Sequence, residues 1–180
     1  MLQRHDAECQ AKDPASCTDP NCPDGVEAVY NNAVDENVMN FIDEVRSKGQ
    51  KNVAPLEIAE IGESQAEALQ ELSGVDYTGY SVCLTQTAVE HIDKRHGENG
   101  TADRSMSDDR DLARIGWVVK NFDNAEQGNR KTRKYKNSNN TLADVIVFIK
   151  NINGHYHVAI AAPVTSKRTM YVVSAYRSSK

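Results

Sequence analysis

The sequence predicts an α+β domain in which N-terminal helices pack on a C-terminal antiparallel sheet of about four strands. Three observations carry this. Apolar residues recur at helical spacing through much of the span from Val26 to Phe122. The last fifty residues instead switch between apolar runs and turn signals. Between two of those runs stands Asn153–Gly154, the strongest short hairpin signal. Helical segments followed by a block of strands read as α+β.

The elements follow in order. Residues 1–25, with Pro14, Pro20 and Pro23, read as a turn-rich appendage. Val26, Val29, Ala33, Val38, Phe41, Ile42 and Val45 predict one helix that links this appendage to the domain across 26–52, with Gly49 as its stop. The domain proper is expected over 53–180. "PLEIAEI" alternates and reads as a short strand. "SQAEALQELSG" is a helix with Ser64 as N-cap, Glu67 completing a capping box, and Gly74 past its end. "YSVCL" is a second short strand, with Cys83 as a packed thiol. A helix starting at Leu84 or Thr85 runs to His96, just before Gly97. "SMSDDRDLARIGWVVKNFDN" is one amphipathic helix. Ser107 is its expected N-cap, Asp108, Asp109 and Asp111 suit its positive end, and Trp117 is a packing residue. "RKTRKYKN", "TLADVIVFIK", "HYHVAIAAP" and "TMYVVSAY" are the strands.

Composition narrows the function. No apolar run reaches the roughly 20 residues that span a bilayer, so no membrane partner is expected. The polar start "MLQRHDAECQ" is not a signal peptide and reads as the start of a piece of a longer protein. Residues 1–100 carry 7 Lys/Arg against 19 Asp/Glu, whereas residues 101–180 carry 14 against 7. A basic second half is suited to a polyanion, although a solvated surface explains a charge cluster equally well. His5, Cys9, Cys17 and Cys22 spell H-x3-C-x7-C-x4-C. Thiolate and imidazole ligands suit a tetrahedral structural zinc, while disulfides or reduced thiols use the same cysteines.

"AVEHIDKRHG" holds two histidines with an unusual gap. Metal-binding helices place histidines at i and i+4, but His91 and His96 are five apart, roughly 140° around the helix. They cannot share one ligand face. Ala88, His91, Ile92 and Arg95 share a helix face, so His91 is expected to border the buried stripe. His96 is expected to close the helix at its negative end.

The hairpin register places further groups together. A two-residue turn at Asn153–Gly154 sets Lys150 opposite His157. A turn centred between Ser166 and Lys167 then sets His157 opposite Tyr176 and Ala159 opposite Ser174. Alternation gathers Lys150, His157, Ser174 and Tyr176 on one face. Val145, Val147, Ile149, Val158, Ile160, Val173 and Ala175 form the other, as a core face. The polar face reads either as a cross-strand packing arrangement or as a site for cleaving a phosphodiester. RNA carries its own nucleophile, the 2′-OH. A metal-free ribonuclease needs a base, an acid and cations for the phosphate.

The "HI..RH" helix, the downstream "S..D......I...V.N", and the strands with "Y.N", "F.K", "G.YHV" and "YVVSAY" resemble a family. They are similar to phage-associated nucleases of the barnase–EndoU–colicin–RelE (BECR) superfamily, over roughly residues 53–180. The resemblance implies a barnase/RelE-like fold, with helices on one face of the sheet and a metal-independent ribonuclease site, free of any catalytic cofactor, on the other. It points to His91, His96, Lys150, Ser174 and Tyr176 as catalytic, and the register adds His157. Arg177 and the cluster Arg130, Lys131, Arg133, Lys134 and Lys136 would hold phosphate, and Tyr135 would stack a base or pack. The implied activity is that of an endoribonuclease toxin or phage effector acting on RNA, with tRNA as a fitting target for an acidic protein. A cognate immunity or inhibitor protein would accompany it, and it would act in the cytoplasm of the producing or the target bacterial cell after delivery by phage or secretion. Two other readings stand beside it: a non-catalytic module binding RNA or a protein, and another enzyme acting on nucleotide-type substrates.

Overall fold

Val26 and Tyr30, one helical turn apart, both point inward and start the first helix. The computed structural model of the chain describes residues 25–48, 52–130 and 143–179. Helices α1 (Val26–Asn32) and α2 (Glu36–Lys48) replace the single helix expected there. The break has a local cause. The Asp35 carboxylate accepts from the Asn37 amide at 2.9 Å, capping α2, while the Asp35 amide donates to the Ala113 carbonyl. Tyr30, Phe41, Ile42 and Val45 are buried in the main core, so both helices are part of it.

Strand β1 (Leu56–Glu60) leads into α3 (Glu63–Ser73). The cap of α3 is not Ser64. Gly62 is extended at the N-cap, and Gln65 Oε1 reaches back to accept from its amide at 2.9 Å, so the helix starts two residues earlier than expected. Gly74 ends α3 at φ 75°, a left-handed position that suits glycine. Strand β2 (Ser81–Leu84) precedes α4 (Gln86–His96), whose N-cap Thr85 accepts from the Ala88 amide. Cys83 on β2 is half-buried. The next helix is also two, α5 (Asp109–Ala113) and α6 (Ile115–Lys120), meeting at Arg114. Asp108, not Ser107, caps α5, through its bond from the Arg110 amide.

One six-stranded sheet completes the fold, wider than the four strands expected. Its order is β1-β2-β6-β5-β4-β3, with β3 (Asn124–Arg130), β4 (Ala143–Ile152), β5 (His155–Val164) and β6 (Thr169–Ser178). All neighbours are antiparallel except β2 and β6, which run parallel. The two short early strands dock on the open edge of β6. Strand β3 ends where the basic stretch begins, so the expected "RKTRKYKN" strand falls, beyond Arg130, outside the described residues.

The β4–β5 hairpin has the expected register. Asn153 and Gly154 take positive φ (51° and 95°), and Lys150 faces His157. The β5–β6 pairing starts as expected, with Val164 opposite Thr169, but it shifts at a bulge between Ile160 and Ala161. Val173 is the extra residue. Beyond it, His157 faces Arg177 rather than Tyr176, and Ile160 rather than Ala159 faces Ser174. One added residue exchanges the faces of everything that follows.

The assignment of the faces is also corrected. The helices cover the face that carries Ile146, Phe148, Lys150, His157, Ala159, Ala161 and Ala175. Val145, Val147, Ile149, Val158, Ile160, Val173, Ser174 and Tyr176 point to the opposite face, where a smaller apolar cluster forms. The reason is that β4 and β5 are apolar at nearly every position. A two-residue period then fails to say which face meets the helices. Among the described residues, no helix is long and apolar enough to cross a membrane.

Candidate active site

His96 ends α4, and the loop after it folds back over the helix end. The amides of Gly97, Thr101, Ala102, Asp103 and Met106 donate to the carbonyls of Asp93, Lys94, Arg95, Arg95 and His96. This satisfies the last carbonyls, which a helix leaves open. Gly100 is required here, because a Cβ would fall on the carbonyl oxygens of Asp103 and Arg95. The folded loop delivers Asp103 to His96, with Nδ1 3.0 Å from both carboxylate oxygens. Although partial burial acts to raise it, hydrogen bonds from Ser105 and His96 hold the Asp103 carboxyl below its ordinary range. The imidazole lies against the Tyr176 ring, with centroids 5.5 Å apart and planes 29° apart. The His96 side chain is 12% exposed, so the pair borders solvent.

Strand β6 ties this surface to a buried layer. Strand β2 pairs only with Thr169–Tyr171, which leaves the later edge of β6 open. There the Arg177 amide donates to Ser105 Oγ at 3.0 Å, anchoring the loop. Tyr176 and Arg177 point to opposite faces, and the bulge decides which goes where. Tyr176 meets His96, while Arg177 Nη1 lies 3.6 Å from Asp111 on the helix-covered side.

The buried layer joins α1, α5, β5 and β6. Arg114 donates to Asp111 at 2.8 Å and to the carbonyls of Tyr30 and Asn31. The Tyr30 hydroxyl is 3.0 Å from Asp111 Oδ1 and 2.9 Å from His157 Nδ1. A carboxylate only accepts, so Tyr30 gives its proton to Asp111, and His157 Nδ1–H donates to the Tyr30 oxygen. Burial, and then the Asp111 charge, push the Tyr30 phenol up, so it stays a neutral donor. His157 Nε2 then carries a lone pair with no hydrogen-bond partner among the described residues. Burial, with Arg177 and Arg114 nearby, pushes His157 down to about 3, so its ring is neutral at ordinary pH. Lys150, 1% exposed, donates to Asp123 Oδ1 at 2.9 Å and sits 5.7 Å from the Trp117 ring.

A groove of about 410 Å³ opens on the other sheet face, beginning at Tyr176. Asp123, Asn124, Ile149, Asn151, Tyr156, Val158 and Ser178 complete its lining. A His–Asp pair thus stands beside a cleft, with a tyrosine shared by both.

A family model described as phage-Barnase-EndoU-ColicinE5/D-RelE like nuclease3 matches residues 59–180. The chain belongs to this family. Nothing among curated proteins or solved structures matches it. The coarse chemistry of the domain is therefore that of a nuclease, the cleavage of a phosphodiester. The matched segment starts inside β1, so α1 and its Tyr30 lie outside the region that defines the family, although Tyr30 bonds to two residues within it.

The residues predicted for this nuclease site divide three ways. His96 and Tyr176 come together at the surface, while His91 is exposed on α4. His96 closes the helix as expected, and it also stacks on the sheet residue Tyr176. Lys150 and His157 do neighbour each other, but beneath the helices, and Ser174 is buried on the opposite face. The main chain of Arg130 lies in β3 opposite Ala143. Lys131, Arg133, Lys134, Tyr135 and Lys136 lie outside the described residues, as do His5, Cys9, Cys17 and Cys22. Among the described residues no three histidine, cysteine or carboxylate side chains group as metal ligands.

Sequence reasoning missed Asp103, Tyr30, Arg114 and Asp123. Asp103 had a signal, since "HGENGTAD" places two glycines between His96 and the carboxylate, and so a tight return. Asp111 was read as a partner of the helix dipole, whereas it is a buried partner of Arg114 and Tyr30.

Proposed function

We propose that this nuclease domain is an endoribonuclease that cleaves RNA by attack of the 2′-OH on the adjacent phosphorus, with no metal in the chemical step. The observation that carries the proposal is the His96–Asp103 pair, packed on Tyr176, which also lines an open groove. Asp103 accepts from Nδ1–H and sets the ring, leaving Nε2 to exchange a proton with substrate. The bond from O2′ to phosphorus forms as the bond to O5′ breaks. The proton of the 2′-OH goes to a base, and an acid supplies one to O5′. His96 takes one of these parts, and the Tyr176 phenol is placed to take the other. Arg177, although next to Tyr176 in the chain, turns to Asp111 on the other sheet face, so it steadies β6 rather than meeting phosphate at this site. Lys150 and His157, being buried, act by holding this end of the sheet in shape rather than by touching RNA.

A net charge of −5 disfavours indiscriminate binding to RNA and favours one folded substrate such as a tRNA. An enzyme of this kind in a bacterial cytoplasm calls for a cognate inhibitor protein, and delivery by phage or secretion fits the family. The test is incubation with total RNA in excess EDTA, with the ends of the products sequenced. Expected are 2′,3′-cyclic phosphate and 5′-OH ends, no cleavage at a 2′-deoxy nucleotide, and a loss of about 100-fold or more in His96→Ala. Cleavage that vanishes with EDTA, or RNA bound but left intact, would overturn the proposal.

A further inference from the structure

We infer that the groove beside His96 is a nucleobase subsite, which holds a base next to the scissile phosphate. The inference rests on the ribonuclease reading and adds where a base is gripped and by which of its groups. Two cross-strand rows build the groove. Asn124, Ile149, Val158 and Tyr176 form the first, since Asn124 pairs with Ile149, Ile149 with Val158, and Val158 with Tyr176. Asn151, Tyr156 and Ser178 form the second, one pleat further on. Residues of successive strands on one face lie about 4.8 Å apart, so each row is a continuous strip. The first strip is apolar and partly aromatic along most of its length, whereas the second presents a carboxamide, a phenol and a hydroxyl. A flat heterocycle fits that division, with its π face on the apolar strip and its polar edge on the other.

Position and size agree with this. The Tyr176 ring stacks on His96 and also lines the groove, so a base in the groove belongs to a nucleotide at the reacting phosphate. A volume of about 410 Å³ lies within the roughly 300–1,000 Å³ of small-molecule sites. The Asp123 side of the groove gives a direction of choice. Asp123 is held from two sides, by Lys150 Nζ on Oδ1 at 2.9 Å and by the Asn151 amide on Oδ2 at 2.8 Å. A carboxylate oxygen accepts more than one hydrogen, so Asp123 offers a fixed acceptor to the groove. That favours a base whose edge carries an amino group over uracil.

The four nucleoside 3′-monophosphates are the probes, titrated into the full chain and followed by NMR. An amino-bearing base should shift the signals of Tyr156, Val158 and Asn151, and both Tyr156→Phe, which loses only the hydroxyl, and Tyr156→Ala should weaken that nucleotide about tenfold. In RNA cleavage Tyr156→Ala should raise KM about tenfold with kcat within about twofold, and Asp123→Asn should weaken the base preference at the cut site. If Tyr156→Ala leaves KM, nucleotide affinity and cut sites unchanged while His96→Ala abolishes cleavage, the subsite is wrong and the ribonuclease reading stands. If nucleotides bind the groove as expected but RNA is never cut, the ribonuclease reading fails and the base site stands. No binding by any of the four overturns the inference.

Discussion

Acid should destabilise this domain through several groups, and His157 is the one with the largest effect. Its ring is fully buried and held down to about 3, against an ordinary 6.5. Between those values the unfolded chain binds a proton at this site that the folded chain does not. Stability therefore rises with pH across the window, is fully present above about 6.5, and is lost as pH falls toward 3. Each pH unit inside the window is worth about 1.4 kcal/mol. The whole span is worth about 4–5 kcal/mol, comparable with the roughly 5–15 kcal/mol of a typical domain. The assay is urea unfolding of the wild type and His157→Asn at pH 7, 6, 5 and 4. Asparagine keeps an N–H for the Tyr30 oxygen but does not titrate. The wild type should lose about 2–3 kcal/mol more than the variant between pH 6 and pH 4. Parallel curves for the two proteins would mean that His157 accepts a proton while folded, and the burial argument would be refuted.

Three other outcomes follow from the geometry. Asp103→Ala removes the acceptor that orients His96, so kcat should fall about 100-fold with KM little changed, as single-turnover rates would show; an unchanged kcat would remove Asp103 from the site. Arg114→Met leaves the buried Asp111 carboxylate with only the Tyr30 hydroxyl and the longer Arg177 contact, and should cost about 2–4 kcal/mol in urea unfolding, whereas a loss under about 1 kcal/mol would mean that Arg177 or water takes over the charge. Gly100→Ala drives a methyl into the backbone of Asp103 and Arg95, and should cost about 1–3 kcal/mol while also lowering activity, because the loop that carries Asp103 must shift; full activity in that variant would mean that the loop adapts.

Much of the site was legible in pieces. The Asn153–Gly154 turn predicted the β4–β5 register correctly, because a two-residue turn leaves the chain no other pairing. The end of α4 at His96 followed from Gly97, and the family resemblance from the histidine helix and the last strand. The bulge at Val173 was not legible. It is an extra residue inside an apolar strand, with no glycine or turn residue to announce it, and it turns Arg177 inward and Tyr176 outward. The face that meets the helices was hidden for a related reason, since "VIVFI" and "VAIAA" are apolar on both sides.

By itself the sequence determined most of the helices and strands, though not β3 or the breaks at Asp35 and Arg114, and how the first hairpin pairs, because these depend on spacing and turn chemistry within a few residues. It also pointed to histidine, tyrosine and basic side chains as candidates for the chemistry. Only the tertiary structure decided which of those side chains reach solvent. Tyr30 finds Asp111 across 81 residues and His157 across 127, and Asp103 reaches His96 only because a loop returns over the helix end. Such contacts depend on which faces are buried together, a property of the packed whole that no local pattern encodes.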